Sequence, residues 1–468
     1  MPIPVMKTSQ KILFLETKNF LLGRTVLIGA ICLLLFGIYG FYHGSKVIGR
    51  QQETIESVAQ VQKNHLDLIV AHGTGKPVGS TAYYPFFYTS NPASPWAKFS
   101  IGQRDVNPFT LKVKMLAIEG QLYDSELTNP LTLLVGNLDA SFVFLFLFPL
   151  LIIAFTYNTI SEEQENGVWK IVRTTTESIT AAIVNKLLIR LAVILITTQL
   201  IFFAGILYLQ LPFSYPTFQL GLVILLYVLF WFTVSVVVIS LGKSSSFNAT
   251  TLVSVWIFLC ILFPGIANVI INNSIPVPEA METTIKQREG YHQKWDEPKG
   301  PTMEKFYAVY PQYRKYPIPE DKYSPGWYYA MQFSGDLESA NSSQKLFEKL
   351  NQRQKLSENI AAFNPAVAAQ QLVNKIANTD LTSHIRYLQS VKTHHRQIRE
   401  YFYPFIFQQT PTESINWAGY PAYKPVSYSK DSLTGGILAI VIWTVAGLGI
   451  SLFLFKRNFI HIKDLQNA

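Results

Sequence analysis

Residues 138–160 read LDASFVFLFLFPLLIIAFTYNTI, an apolar run whose one charge, Asp139, stands at its start. An α-helix needs roughly 20 residues to cross a hydrocarbon core of about 30 Å, and this run supplies them without a polar face. A second reading as a buried core helix would need a soluble domain around it, and the flanking sequence argues otherwise. Five further stretches of the same kind occur at Thr25–Tyr42, Leu187–Leu209, Gln219–Leu241, Thr250–Ile271 and Gly435–Phe455. The 468-residue chain is 49% hydrophobic and only 15% charged, which excludes an ordinary soluble enzyme and predicts a polytopic α-helical membrane protein with six transmembrane helices. Cys32 and Cys260 both fall inside apolar runs, so neither a disulfide framework nor a thiolate metal site is expected.

The first run follows a basic stretch, residues 1–24, and no small-residue cleavage site follows it; it is therefore expected to be a retained span and not a signal peptide. Short loops carry their Lys and Arg on one side: Lys7, Lys11, Lys18 and Arg24, then Lys170, Arg173 and Lys186, then Lys243, and finally Lys456, Arg457 and Lys463. The short loop from Gln210 to Phe218 has none. This bias predicts both termini, the 161–186 loop and the 456–468 tail on the cytoplasmic side of a bacterial inner membrane. Residues 43–137 and 272–434 then lie outside. The first of these, with its Pro and Tyr clusters, reads as loop-rich and as packing against the second. Within the second, 287–329 reads as irregular, whereas 337–403 has helical composition. Asn364 before Pro365 makes a cap and first-turn pair, Asp380 opens a further helix, and Pro404 is expected to stop it. A mainly helical extracytoplasmic domain results. Its dispersed, mixed charge gives no footprint for nucleic acid, although the net charge is +9.

The spans have no ionisable group at depth; Asp139 and Arg190 stand at their ends, where snorkelling accounts for them. An ion-coupled carrier or channel is therefore disfavoured. Gly73-Thr74-Gly75-Lys76 precedes Pro77 and lacks the upstream glycine of a phosphate-binding loop, so any ATP and Mg are expected in a separate subunit and no cofactor or metal on this chain. No H-E-x-x-H or G-x-S-x-G motif occurs, and His384, His394 and His395 read as a solvated helix surface, which leaves an enzyme without a catalytic constellation.

The 161–186 loop is the informative one. Ser161 and Gln164 have capping-box spacing, and Glu162, Glu163 and Glu165 precede Gly167, where the chain can turn sharply. Val168, Trp169, Ile171 and Val172 are apolar side chains in a loop too small to bury them. They either lie in lipid headgroups or dock a cytoplasmic partner. Before Arg24, Leu13, Phe20 and Leu21 belong to an imperfect apolar stripe over 12–22, read as an amphipathic helix or a plain leader.

Phe148-Pro149-Leu150-Leu151-Ile152-Ile153 leading into Glu163-x-Glu165-x-Gly167 and Lys186 resembles the membrane (permease) subunit of type-2 ABC exporters, in a bacterial branch with a large extracytoplasmic domain between spans five and six. Further similar stretches are Tyr39-Gly40-Phe41-Tyr42-His43-Gly44 with Gln51, Gly102 to Pro108, Asn129-Pro130, Gly136 to Asp139, Trp256, Pro264, Pro276-x-Pro278, Asn364-Pro365 and Thr379-Asp380. Val168 and Trp169 depart from the Thr and Leu-rich helix usual there. The resemblance implies a P-loop ATPase partner docked at the acidic turn, an N-terminal elbow helix along the inner leaflet, and a second permease subunit, identical or a close paralogue. Uncharged spans suggest an apolar or amphipathic cargo drawn from membrane lipid, with no residue assignable to cargo binding. The rival reading is a membrane-anchored envelope assembly or sensing protein whose outer domain binds an envelope partner.

Overall fold

A computed structural model describes residues 8–122, 137–169, 179–320, 322–428 and 431–460. These residues are mostly helical, and among them six helices are long and apolar enough to cross a membrane. A short helix α1 (Thr8–Leu21) precedes the first of them, α2 (Arg24–Gly73). A two-stranded antiparallel sheet follows, β1 (Phe87–Ser90) paired with β2 (Thr110–Val113). The next four spans are α3 (Ala140–Glu165), α4 (Ile179–Leu209), α5 (Tyr215–Ile239) and α6 (Ser245–Ser274). The outer unit continues through α7 (Glu279–Gln293), α8 (Lys299–Val309), α9 (Pro325–Ala361), α10 (Pro365–Ala377) and α11 (Leu381–Phe407), and α12 (Thr434–Phe459) closes the chain's set of spans.

Two cores divide the molecule. In the membrane core α3 and α5 are central, with Phe144, Phe148, Ile152, Tyr227 and Trp231 almost fully buried, while α2, α4, α6 and α12 present most of their apolar surface outward. That distribution is the one lipid requires, since an outward Leu or Phe costs nothing there. The second core is aromatic and lies in the outer unit, where Phe306, Tyr313, Tyr403 and Phe407 pack edge-to-face and stacked. Helix α10 joins the two: its apolar stripe, Ala368, Ala369, Leu372, Val373 and Ile376, is buried in the membrane core against α5 and α12.

Spans α3 and α6 share one device. Each has a π turn, Val143–Leu147 and Phe258–Leu262, followed two residues on by a proline, Pro149 and Pro264. The wider turn and the missing proline N–H leave backbone carbonyls without their usual partners. Side chains from other elements take them. The Tyr227 hydroxyl donates to the Leu145 carbonyl at 2.8 Å, which Pro149 cannot reach, and the Trp256 indole donates to Phe146 at 3.1 Å. The Asn364 amide donates to Leu259 at 2.8 Å, while its Oδ1 accepts from Ala366 N at 2.9 Å and so caps α10 as expected. Polar side chains in an apolar slab are thus spent on freed backbone groups.

Several expectations are corrected. Residues 43–73 are not loop: α2 runs unbroken over 50 residues, because no proline interrupts the sequence before Pro77. Within 287–329, α7 and α8 are helical, since Met303, Phe306 and Tyr307 recur at helical spacing and bury one face. Pro404 does not end α11, which continues to Phe407; Ile406 and Phe407 are buried in the aromatic core beside it, offsetting the proline's local cost. Asp139 is no snorkelling residue either. It is buried, caps α3 through Phe142 N at 2.9 Å, and accepts from Ile101 N at 2.8 Å and Ser141 Oγ at 2.7 Å. His394 and His395 are buried, not solvated, and His395 shares a 2.8 Å hydrogen bond with the Lys114 carbonyl.

Candidate functional site

The acidic turn after α3 is tied to three other elements. Glu163 pairs with Lys186 near the start of α4, and the same ammonium lies 3.4 Å from Glu16 on α1. Glu165 reaches the start of α6, where its carboxylate accepts from Ser245 N at 2.7 Å and Ser245 Oγ at 3.0 Å. A carboxylate at a helix N-terminus satisfies orphan N–H groups and opposes the helix dipole favourably. Glu162 is exposed and accepts from the Asn158 amide at 2.6 Å. The expected capping box does not form, because the helix already includes Ser161: Ile160 holds the cap position, Gln164 N donates to the Ile160 carbonyl, and the Ser161 hydroxyl shares a 2.7 Å hydrogen bond with Ser245 Oγ.

Gly167 has φ +74°, and the space about its Cα is empty, so the turn needs glycine for its backbone and not for packing. Val168 is 43% exposed, which leaves an apolar side chain at the tip of the turn. Trp169 is half-buried, its ring 6.3 Å from that of Phe459 at the end of α12. Ile171 and Val172 lie outside the described residues. On α1, Phe20 meets Phe155 edge-to-face at 5.6 Å, and the Arg190 guanidinium sits 5.0 Å above its ring; Leu21 is exposed, and the Leu13 side chain is outside the described residues. Arg190 does not snorkel toward water. Its Nε donates to the Phe155 carbonyl at 2.7 Å.

The turn can therefore act as a mechanical node: a displacement of Glu163 or Glu165 pulls on α1, α4 and α6 together. Sequence reading missed Glu16, Ser245 and Phe459 as parts of it. Lys186 carried a signal, a lone cation opening a span opposite an acidic loop, but its second partner lies on a helix distant in sequence.

A second cluster gathers where α2 leaves the membrane. Gly40 packs on the Asp139–Ala140 backbone, where a Cβ would stand 3.0 Å from the Asp139 carbonyl oxygen, and Gly44 packs on the Lys98 carbonyl. His43 shares a 3.3 Å hydrogen bond with Asn137 Oδ1, and the Asn137 amide donates to Asp105 at 2.5 Å. Arg104 exchanges hydrogen bonds with Gln51 and donates to the Asn91 carbonyl at 2.8 Å; burial pushes its guanidinium down to about 10. Gly102, at φ +52°, lies against Thr379, whose carbonyl accepts from Gln103 N at 2.8 Å. Burial likewise lowers His384 to about 4. Among the described residues no group of three or more His, Cys, Asp or Glu is placed to hold a metal ion.

Residues 280–425, nearly all of the outer unit from α7 onward, match a family described as a domain of unknown function (DUF3526). No curated protein and no solved structure matches the chain.

Proposed function

We propose that the chain is the membrane subunit of a type-2 ABC exporter in a bacterial inner membrane. It pairs with a second permease subunit and is driven by a separate P-loop ATPase that carries the ATP and Mg. The termini and the acidic turn face the cytoplasm, and the outer unit faces away from it. The observation that carries this reading is the turn's fastening to three helices through Glu163 and Glu165, with Val168 exposed at its tip. An anchor has no need of such a node, whereas a subunit that receives force from outside the membrane does. Closure of the ATPase pair pushes the turn, and the load passes through α1, α4 and α6 to the spans. Cargo shifts the two states only by its difference in affinity for them, and the uncharged spans favour an apolar or amphipathic cargo.

The test is co-purification of the tagged chain with its candidate ATPase. Val168→Glu places a charge in the contact, and Gly167→Pro cannot adopt φ +74°; each variant should lose the ATPase while eluting as wild type in detergent. Full retention of the ATPase by both variants removes the docking site. Absence of any ATPase favours the second reading, an envelope assembly or sensing protein, for which the outer unit's separate aromatic core speaks.

A further inference from the structure

A cavity of about 370 Å³ lies between α1, the first turn of α2, the end of α3 and the start of α4. Its charged lining is Glu16, Glu162, Glu163, Lys186 and Arg190, with Phe20 among the apolar walls. Three carboxylates and two cations disfavour a simple anion and a simple cation alike. The groups are not equally engaged. Lys186 is held between Glu163 and Glu16. Arg190 spends only Nε, on the Phe155 carbonyl, and lays its plane over Phe20; among the described residues its two Nη groups have no hydrogen-bond or ion-pair partner. Among the described residues the Glu162 carboxylate accepts only the Asn158 amide.

A guanidinium edge with free Nη groups matches a phosphate oxygen pair, and a partly satisfied carboxylate matches an ammonium that can donate hydrogen bonds. The surroundings suit an amphiphile. Leu22 and Ile28, within a few residues of the lining Phe20 and Val26, are exposed, as are Val184 and Leu188 on the turns of α4 around Lys186 and Arg190. In a membrane these side chains meet acyl chains while the cavity meets headgroups. We propose that the cavity binds a phosphate ester bearing a primary ammonium, the headgroup of a phosphatidylethanolamine-type lipid, with phosphate on Arg190 and ammonium on Glu162. The bound headgroup bridges α4 to the acidic turn. The proposal needs only the membrane placement of the six helices and goes beyond the exporter reading; loss of ATPase binding leaves it standing, and its failure leaves that reading intact.

The full chain is placed in nanodiscs of phosphatidylethanolamine, phosphatidylcholine and phosphatidylglycerol in equal parts, extracted in mild detergent, and its retained lipid counted by native mass spectrometry. Wild type should retain one phosphatidylethanolamine per chain, at least tenfold over the others, because choline has no N–H to donate and glycerol no charge. Glu162→Gln, on an exposed side chain, and Arg190→Gln should each cut that retention about tenfold. Glycerophosphoethanolamine added in solution separates the sources: if it binds as tightly as the lipid, the headgroup chemistry stands and the occupant is a free ester. Equal retention of the three lipids, or unchanged retention in both variants eluting as wild type, overturns the proposal.

Discussion

Gly44→Ala and Gly49→Ala make the same chemical change five residues apart on α2, and the structure assigns them opposite signs. At Gly44 a Cβ would overlap the carbonyl oxygen of Lys98 and stand 3.0 Å from its carbon, with no side chain able to move aside. Real Cβ atoms essentially never come within 3.0 Å of a backbone atom, and the Lys98 oxygen would lie well inside that, so two backbones must separate by about 1 Å or more along the seam that also carries Gly40 against Asp139. Overpacking of this kind costs about 1–3 kcal/mol, and a backbone obstacle puts Gly44→Ala near 3 kcal/mol. At Gly49 nothing lies within 4 Å, so alanine there gains helix propensity and stabilises by about 0.5–1 kcal/mol. The two variants should therefore differ by about 4 kcal/mol, which for a chain of 468 residues is a gap of roughly 4 °C in melting temperature, read by thermal unfolding in detergent. The seam argument is refuted if the two alanine variants melt within about 1 °C of each other.

Reversing Glu163 to Lys should release the acidic turn from Lys186 on α4 and lower the melting temperature in detergent, and adding Lys186→Glu should restore part of it; a double variant no better than the single would break the pairing argument. The buried histidines make the outer unit sensitive to acid. Burial lowers His384 and His394 from 6.5 to about 4, so their neutral forms contribute stability that is fully present above pH 6.5 and is lost as pH falls toward 4. Each should cost on the order of 2 kcal/mol at pH 5 relative to pH 7, and the double Gln variant should flatten the fall in melting temperature over that range. Arg399 donates to Asp336 at 2.7 Å with both residues buried. Arg399→Ala leaves an unpaired buried carboxylate and should destabilise by about 3–5 kcal/mol, measured as earlier proteolysis of the outer unit.

What the sequence revealed follows a physical divide. The spans were legible because lipid demands apolar residues regardless of neighbours, and Asn364-Pro365 because a cap is a local bargain. The continuation of α2 past Tyr42 was hidden, since Gln, Glu and Lys on an exposed helix leave no apolar period to count. The π turns were hidden for a different reason. Pro149 and Pro264 stand in plain view, yet the groups that make them tolerable, Tyr227, Trp256 and Asn364, come from other elements. His394 and His395 misled because adjacency on a helix suggests that at least one faces water, whereas the exposed stripe of α11 runs through Gln389, Thr393, Arg396, Gln397 and Glu400 and both histidines lie off it. At the acidic turn the residue types were readable, but the division of labour was not: Glu163 holds a cation shared with α1, Glu165 caps a helix, and Glu162 stays free of both tasks.

The length of α2 has a mechanical consequence. Its 50 residues at 1.5 Å each span about 75 Å, of which about 30 Å lies in the hydrocarbon, so its far end stands roughly 60 Å from the membrane midplane. A tilt of only about 5° in the spans sweeps that end through roughly 5 Å, the rise of a full helical turn. Gln51 and Gln62 bond to the outer unit along the shaft, so the sweep is transmitted and not lost. Small motions at the acidic-turn end of the spans thus emerge at the far end of α2 as movements large enough to open or close a contact between proteins.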